Sequence, residues 1–100
     1  MKSPLLSPQA LDDIDQIYEY IFQERPSAAD RIRREILAAV KPIGKFPGIG
    51  HIREDLTRKN VLFWPVRSYL IIYRPKAPVE IDRVLSARRN ISQILHEELE

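Results

Sequence analysis

Apolar residues recur three and four apart in the first half of this chain and in extended runs in the second half. In SPQALDDIDQIYEYIFQ, residues 7–23, Leu11, Ile14, Ile17, Ile21 and Phe22 make one helical stripe. Asp13, Gln16, Tyr20 and Gln23 are read as pointing away from it. Ser7 suits an N-cap and Pro8 the first helical position, and Asp12 and Asp13 lie near the positive end of the helix dipole. In SAADRIRREILAAVKPI, residues 27–43, Ala29, Ile32, Ile36, Val40 and Ile43 form a second stripe, with Ser27 as its cap and Pro42 as its stop. The ERP between them predicts a short link and an antiparallel helical hairpin.

The period changes after GKFPGIG, residues 44–50, which holds all three glycines. This is a turn; the spacing of a phosphate-binding loop is missing. HIREDL, residues 51–56, is short and extended at most. VLFWPV, residues 61–66, reads as a strand that Pro65 confines to an edge or a bulge. YLIIYR, residues 69–74, is apolar on both faces, with Leu70 and Ile72 on one and Tyr69, Ile71 and Tyr73 on the other. Such a strand is central and covered twice, by the hairpin on one side and by a C-terminal helix or a partner on the other. VEIDRVLSA, residues 79–87, is the last strand, and RNISQILHEELE is a helix with Ile91, Ile94 and Leu95 on its stripe, extended by Glu98 and Leu99. KSPLLS at the start allows a short edge strand. The expectation is one α+β domain over residues 1–100: a short N-terminal strand, an antiparallel α-hairpin packed on a small three- to four-stranded antiparallel sheet, and a short C-terminal helix.

Composition narrows the chemistry. The absence of cysteine excludes disulfides and thiolate metal sites, and two histidines make no histidine-rich site, so neither metal nor cofactor is expected. No run approaches the ~20 apolar residues of a membrane span, and the start lacks the apolar region of a signal peptide, so a cytoplasmic location is expected. The net charge is only +2, but a basic middle lies between acidic ends. That asymmetry suits an anionic partner, and Arg83, Arg88 and Arg89 gather at the end of the last strand. Arg83, set among apolar neighbours, needs a carboxylate partner, internal or from another chain.

Four segments resemble the ParE branch of the RelE/ParE superfamily of toxins from type II toxin–antitoxin systems. They are LSPQALDDIDQIYEYI (6–21), PSAADRIRREI (26–36), PGIGHIREDL (47–56), and YLIIYRP (69–75) with EIDRVLSARRNISQIL (80–95). The resemblance implies a toxin that inhibits DNA gyrase by binding, without hydrolytic chemistry. It further implies neutralisation by a cognate antitoxin, ParD-like or of another DNA-binding class, in a hetero-oligomer that touches DNA only through antitoxin or gyrase. Ser86 and Asn90 depart from the His and Asp common in relatives. Expected target-binding residues are Arg83, Arg88, Arg89, Ile91, Ile94 and Leu95, and expected antitoxin-binding residues are Tyr20, Tyr69, Ile71, Tyr73 and Arg74.

Two alternatives stand beside this reading. One is a RelE-type ribosome-dependent mRNA endoribonuclease, for which His51 and Arg53 in GHIRED are the acid/base candidates. His96 is read as a surface histidine near a helix C-terminus. The other is a degenerate, non-toxic module that only binds an antitoxin.

Overall fold

A computed structural model describes residues 3–99, with side chains through residue 97. Strand β1 (Leu5–Leu6) leads into helix α1 (Pro8–Phe22) and helix α2 (Pro26–Lys45). A 3-10 turn (Pro47–Ile49) and a loop precede strands β2 (Leu62–Val66), β3 (Tyr69–Arg74) and β4 (Glu80–Ser86), and helix α3 (Ile91–Leu99) closes the chain. The sheet order is β1-β4-β3-β2. The β2–β3 and β3–β4 pairs are antiparallel, as expected, while β1 lies parallel to β4, with Leu5 opposite Glu80 and Leu6 opposite Ile81, so the sheet is mixed. Pro65 sits on the edge strand β2, where its missing N–H costs no central ladder bond. HIREDL contributes only an isolated bridge, His51 to Phe63, before turning.

The helices start and stop differently from expectation in two places. Ser7 caps α1, its Oγ accepting the Ala10 N–H at 2.9 Å, but α2 begins at Pro26 with Arg25 as an uncapping N-cap residue. The fixed φ of proline serves as a helical first residue, so Ser27 lies inside the first turn. Pro42 does not stop α2, which continues to Lys45. Proline removes only its own donor, and the Pro42 carbonyl still accepts the Phe46 N–H at 2.8 Å.

Both faces of β3 are covered by the chain itself. Ile71, Tyr73, Val79, Ile81 and Val84 pack with Ala10, Ile14, Ile36, Val40 and Ile43 of the helical hairpin. Leu70, Ile72 and Leu85 pack on the other face with Val61, Phe63, Ile91 and Leu95. The second cover is therefore α3. A bulge lets β4 serve both layers: Ile72 pairs with Arg83 but Tyr73 pairs with Ile81, so Asp82 is an extra residue. Ile81 and Val84, three apart, thereby share the hairpin side while Leu85 faces α3.

The tyrosine at the end of β3 also organises the turn region. Tyr73 has no exposed surface, and its hydroxyl donates to the Pro47 carbonyl at 2.7 Å and accepts the Gly50 N–H at 2.9 Å. Glycine is required here by proximity: a Cβ on Gly50 would lie 2.6 Å from that hydroxyl and 2.9 Å from the Leu62 Cβ. A Cβ on Gly44 would collide with the Pro4 ring, which ties the end of α2 to the N-terminal segment.

Burial pushes the Tyr73 phenol above its ordinary value of 10.0, partly opposed by the bond from Gly50. A raised folded value means that this group's contribution is fully present below pH 10 and is lost as pH rises through it. Tyr73→Phe should cost about 1–3 kcal/mol at neutral pH, because it strands the Pro47 carbonyl and Gly50 N–H. Urea unfolding from pH 8 to 11 should then show a shallower alkaline decline for the variant than for the unaltered chain. Parallel pH profiles would refute this role.

Candidate functional site

The arginines divide by what they touch. Arg83 is the most enclosed: its side chain is 11% exposed and Asp13 of α1 is 6% exposed. Asp13 was expected to face water, but it lies one turn beyond Ala10 and beside Ile14 on the buried face. The Arg83 Nε donates to Asp13 Oδ2 at 2.7 Å and an Nη donates to Oδ1 at 2.8 Å. The Val84 amide adds a third donor, to Oδ2 at 3.0 Å. The carboxylate partner that Arg83 needs is thus internal, and Arg83 is a structural clamp between α1 and β4 instead of an exposed contact residue.

Other cations are likewise committed. Arg74 Nε donates to Asp82 Oδ2 at 2.8 Å, so the bulge residue is pinned. Arg67, at φ 55 in the β2–β3 turn, holds Glu35 of α2 through two bonds of 2.7 and 2.8 Å. That bond lowers the Glu35 carboxyl below its ordinary value, with the nearby charges of Arg67, Arg31 and Arg34 acting the same way.

Past the clamp, β4 ends in a shaped turn. The Ala87 N–H donates to the Ser68 carbonyl at 2.8 Å, the Arg88 N–H to Ser86 Oγ at 3.2 Å, and the Arg89 N–H to the Ser86 carbonyl at 3.1 Å. Asn90 then caps α3, its Oδ1 accepting the Gln93 N–H at 3.3 Å. Ser86 and Asn90 are therefore turn-forming residues in this chain. The turn displays Arg88 and Arg89, both exposed, at one wall of a cleft of about 460 Å³. Gln16 and Tyr20 of α1 also line it, with Ser68 of the β2–β3 turn and Tyr69 of β3. Tyr20 is 76% exposed. Partial burial raises the Tyr69 phenol above its ordinary value, Tyr20 adding to the effect and the Arg88 charge opposing it.

The structure thus brings Tyr20, Tyr69, Arg88 and Arg89 into one concave site, with the Asp13–Arg83 clamp beneath it. It does not bring the remaining candidates there as surface groups. Ile71, Tyr73, Ile91 and Leu95 are core residues, and Ile94 is half-buried beside α3's packing face. Arg74 is exposed on β3 but paired with Asp82. The acid/base candidates are held separately: the His51 ring stacks on Trp64 at 6.0 Å with planes 6° apart, while Arg53 is forked onto Asp55 at 3.0 and 2.8 Å. His96 is exposed and lines a different depression with Glu54, Asp55 and Arg58. Gln16, read only as pointing away from the α1 stripe, and Ser68 were not site candidates, as neither belongs to a motif. Among the described residues, no group of three or more His, Asp or Glu is placed to hold a metal ion, and no helix is long and apolar enough to cross a membrane.

Known proteins resemble this chain in sequence and in fold. A family model described as the ParE toxin of type II toxin–antitoxin system, parDE, matches residues 5–91. A Sinorhizobium fredii protein with the name "Putative toxin Y4kP" is 30% identical over 87 residues, which is 87% of this chain and 90% of that one. A chain of the chromosomal ParDE TA system from P. aeruginosa superposes with a TM-score of 0.73 at 22% identity, over 86% of this chain and 96% of the other.

Removing the Asp13 carboxylate strands the Arg83 charge in a closed site. Asp13→Ala should cost about 3–5 kcal/mol in urea unfolding, whereas Asp13→Leu combined with Arg83→Met should recover most of that loss. A single-variant loss below about 1 kcal/mol, the scale of an exposed pair, would remove the clamp from the account.

Proposed function

Because the chain belongs to the ParE toxin family of type II toxin–antitoxin systems, we propose that it arrests growth by binding DNA gyrase and is neutralised by a cognate antitoxin in a hetero-oligomer. The observation that carries this reading is the family match across residues 5–91, which spans every element from β1 to the start of α3. The geometry supports action by binding. The cleft combines two tyrosines with two arginines whose guanidinium groups enter no ion pair among the described residues. Tyrosine and arginine are the residue types that anchor protein interfaces, through large amphipathic area and planar multiple donors. An acid/base reaction instead needs a proton acceptor and a cation converging on one atom. His51 and Arg53, the candidates for that work, are committed to Trp64 and Asp55.

Target binding is assigned to Arg88 and Arg89 with the flanking, half-buried Ile94, and antitoxin contact to Tyr20, Tyr69 and Arg74. Ile91 and Leu95 serve target binding only indirectly, by seating α3 on the sheet.

Pulse labelling in a bacterium lacking the antitoxin tests the reading. On induction, thymidine incorporation should fall before amino-acid incorporation. A prior fall in amino-acid incorporation would favour the ribonuclease, and no change in either would indicate a module that binds antitoxin without toxicity. Arg88→Glu with Arg89→Glu should weaken gyrase binding about tenfold or more, on the scale of arginine hot spots, while circular dichroism stays unchanged. Undiminished binding by this folded variant would reassign the cleft.

A further inference from the structure

The outer face of α2 carries a second cationic feature, away from the cleft. Arg31, Arg34, Lys41 and Lys45 are all exposed. At 100° per residue they fall within about 80° of the helix circumference and span about 21 Å of its length. The buried residues Ala29, Ile36, Val40 and Ile43 lie on the opposite side. The two carboxylates of α2 are engaged elsewhere: Asp30 accepts the Tyr18 hydroxyl at 3.1 Å, and Glu35 is forked by Arg67. Among the described residues, no ion pair uses any of the four cations. Lys45 Nζ lies 5.6 Å from the Phe46 ring centroid, and that ring is 56% exposed.

We propose that this stripe docks α2 lengthwise on the phosphodiester backbone of a nucleic-acid duplex. A straight row of unpaired cations on a rigid helix matches a regularly charged polyanion. Contacts to phosphate position a protein without needing an apolar interface centre. An acidic protein partner would need that apolar centre, whereas the exposed apolar side chain inside the arc of the four cations is Ala38, and the larger Leu37 and Phe46 lie at its borders. The contact is direct, in departure from the expectation that this chain meets DNA only through antitoxin or gyrase. Four neutralised phosphates give a dependence of log affinity on log salt of about −3.6, at ~0.9 per phosphate of a B-form duplex. Between 50 and 200 mM salt, affinity should fall roughly a hundredfold.

Fluorescence anisotropy with the full chain and a labelled 20-base-pair DNA duplex of mixed sequence tests the stripe. An RNA duplex of equal length and a 20-residue polyglutamate peptide serve as comparison probes. The Arg34→Ala/Lys41→Ala variant should reduce the DNA slope by about 2, with an unchanged melting curve because both side chains are exposed and unpaired. Salt-dependent binding of either duplex that weakens in this variant upholds the proposal, and the tighter probe identifies the duplex. An unchanged slope, absence of duplex binding at 50 mM salt, equal affinity for polyglutamate, or loss only in Arg88→Ala/Arg89→Ala would each overturn it.

Discussion

The Asp13–Arg83 clamp is the constraint from which the rest of the molecule follows. A carboxylate and a guanidinium enclosed together are tolerable only with complementary geometry and their hydrogen bonds filled, and here the fork is met twice and the Val84 amide adds a third donor. That geometry fixes α1 over β4 at one point. A second tie comes from Ser7, whose Oγ donates to the Asp82 carbonyl at 2.8 Å while its backbone N–H meets the Ile81 carbonyl at 3.0 Å. Two ties, one at the cap and one more than a turn along, set the helix direction over the sheet as well as its position. The cleft between Tyr20 and the Arg88–Arg89 turn inherits its shape from this placement, because its walls belong to the two clamped elements.

The bulge at Asp82 is part of the same solution. A regular β4 would put Ile81, Arg83 and Leu85 on one face. The extra residue takes Ile81 off that face and puts it with Val84 on the hairpin side. Asp82 itself is held by Arg74 across the strands. The sheet is then sealed on its second face by α3. This reverses the meaning of the apolar alternation in YLIIY: a run that suggested a docking surface is the centre of a two-sided core.

Much of the architecture was legible because periodicity reports burial directly. The stripe Ala29, Ile36, Val40 and Ile43, the edge position forced by Pro65, and the change of period after the glycines all hold in the fold. The site was less legible because its decisive feature is a long-range polar pair. Asp13 carried a usable signal, since it sits three residues after the buried Ala10, but a carboxylate on a helix is ordinarily solvated and Ala10 is too small to mark a face. The register shift in β4, the closure of Tyr73 on Gly50 and Pro47, and the Arg67–Glu35 fork depend on tertiary geometry that local spacing does not encode.

What remains on the surface after this pairing is the informative residue of the charge pattern. The chain is only weakly basic overall, so its net charge says little about partners. The structure sorts the cations into those that hold the fold and those held out from it. Arg67, Arg74 and Arg83 are committed to Glu35, Asp82 and Asp13, so each bond also engages a carboxylate. Glu35 is the clearest instance. It lies beside Arg31 and Arg34 on α2, yet the Arg67 fork draws its oxygens toward the β2–β3 turn. Internal pairing therefore creates the exposed positive surfaces as well as the stable core. The Arg88–Arg89 turn and the α2 stripe are two such surfaces, on different elements and of different character: one concave and flanked by tyrosines, the other linear along a helix. A small domain so arranged can engage a folded protein with one surface and a polyanion with the other, without either contact competing for the same side chains.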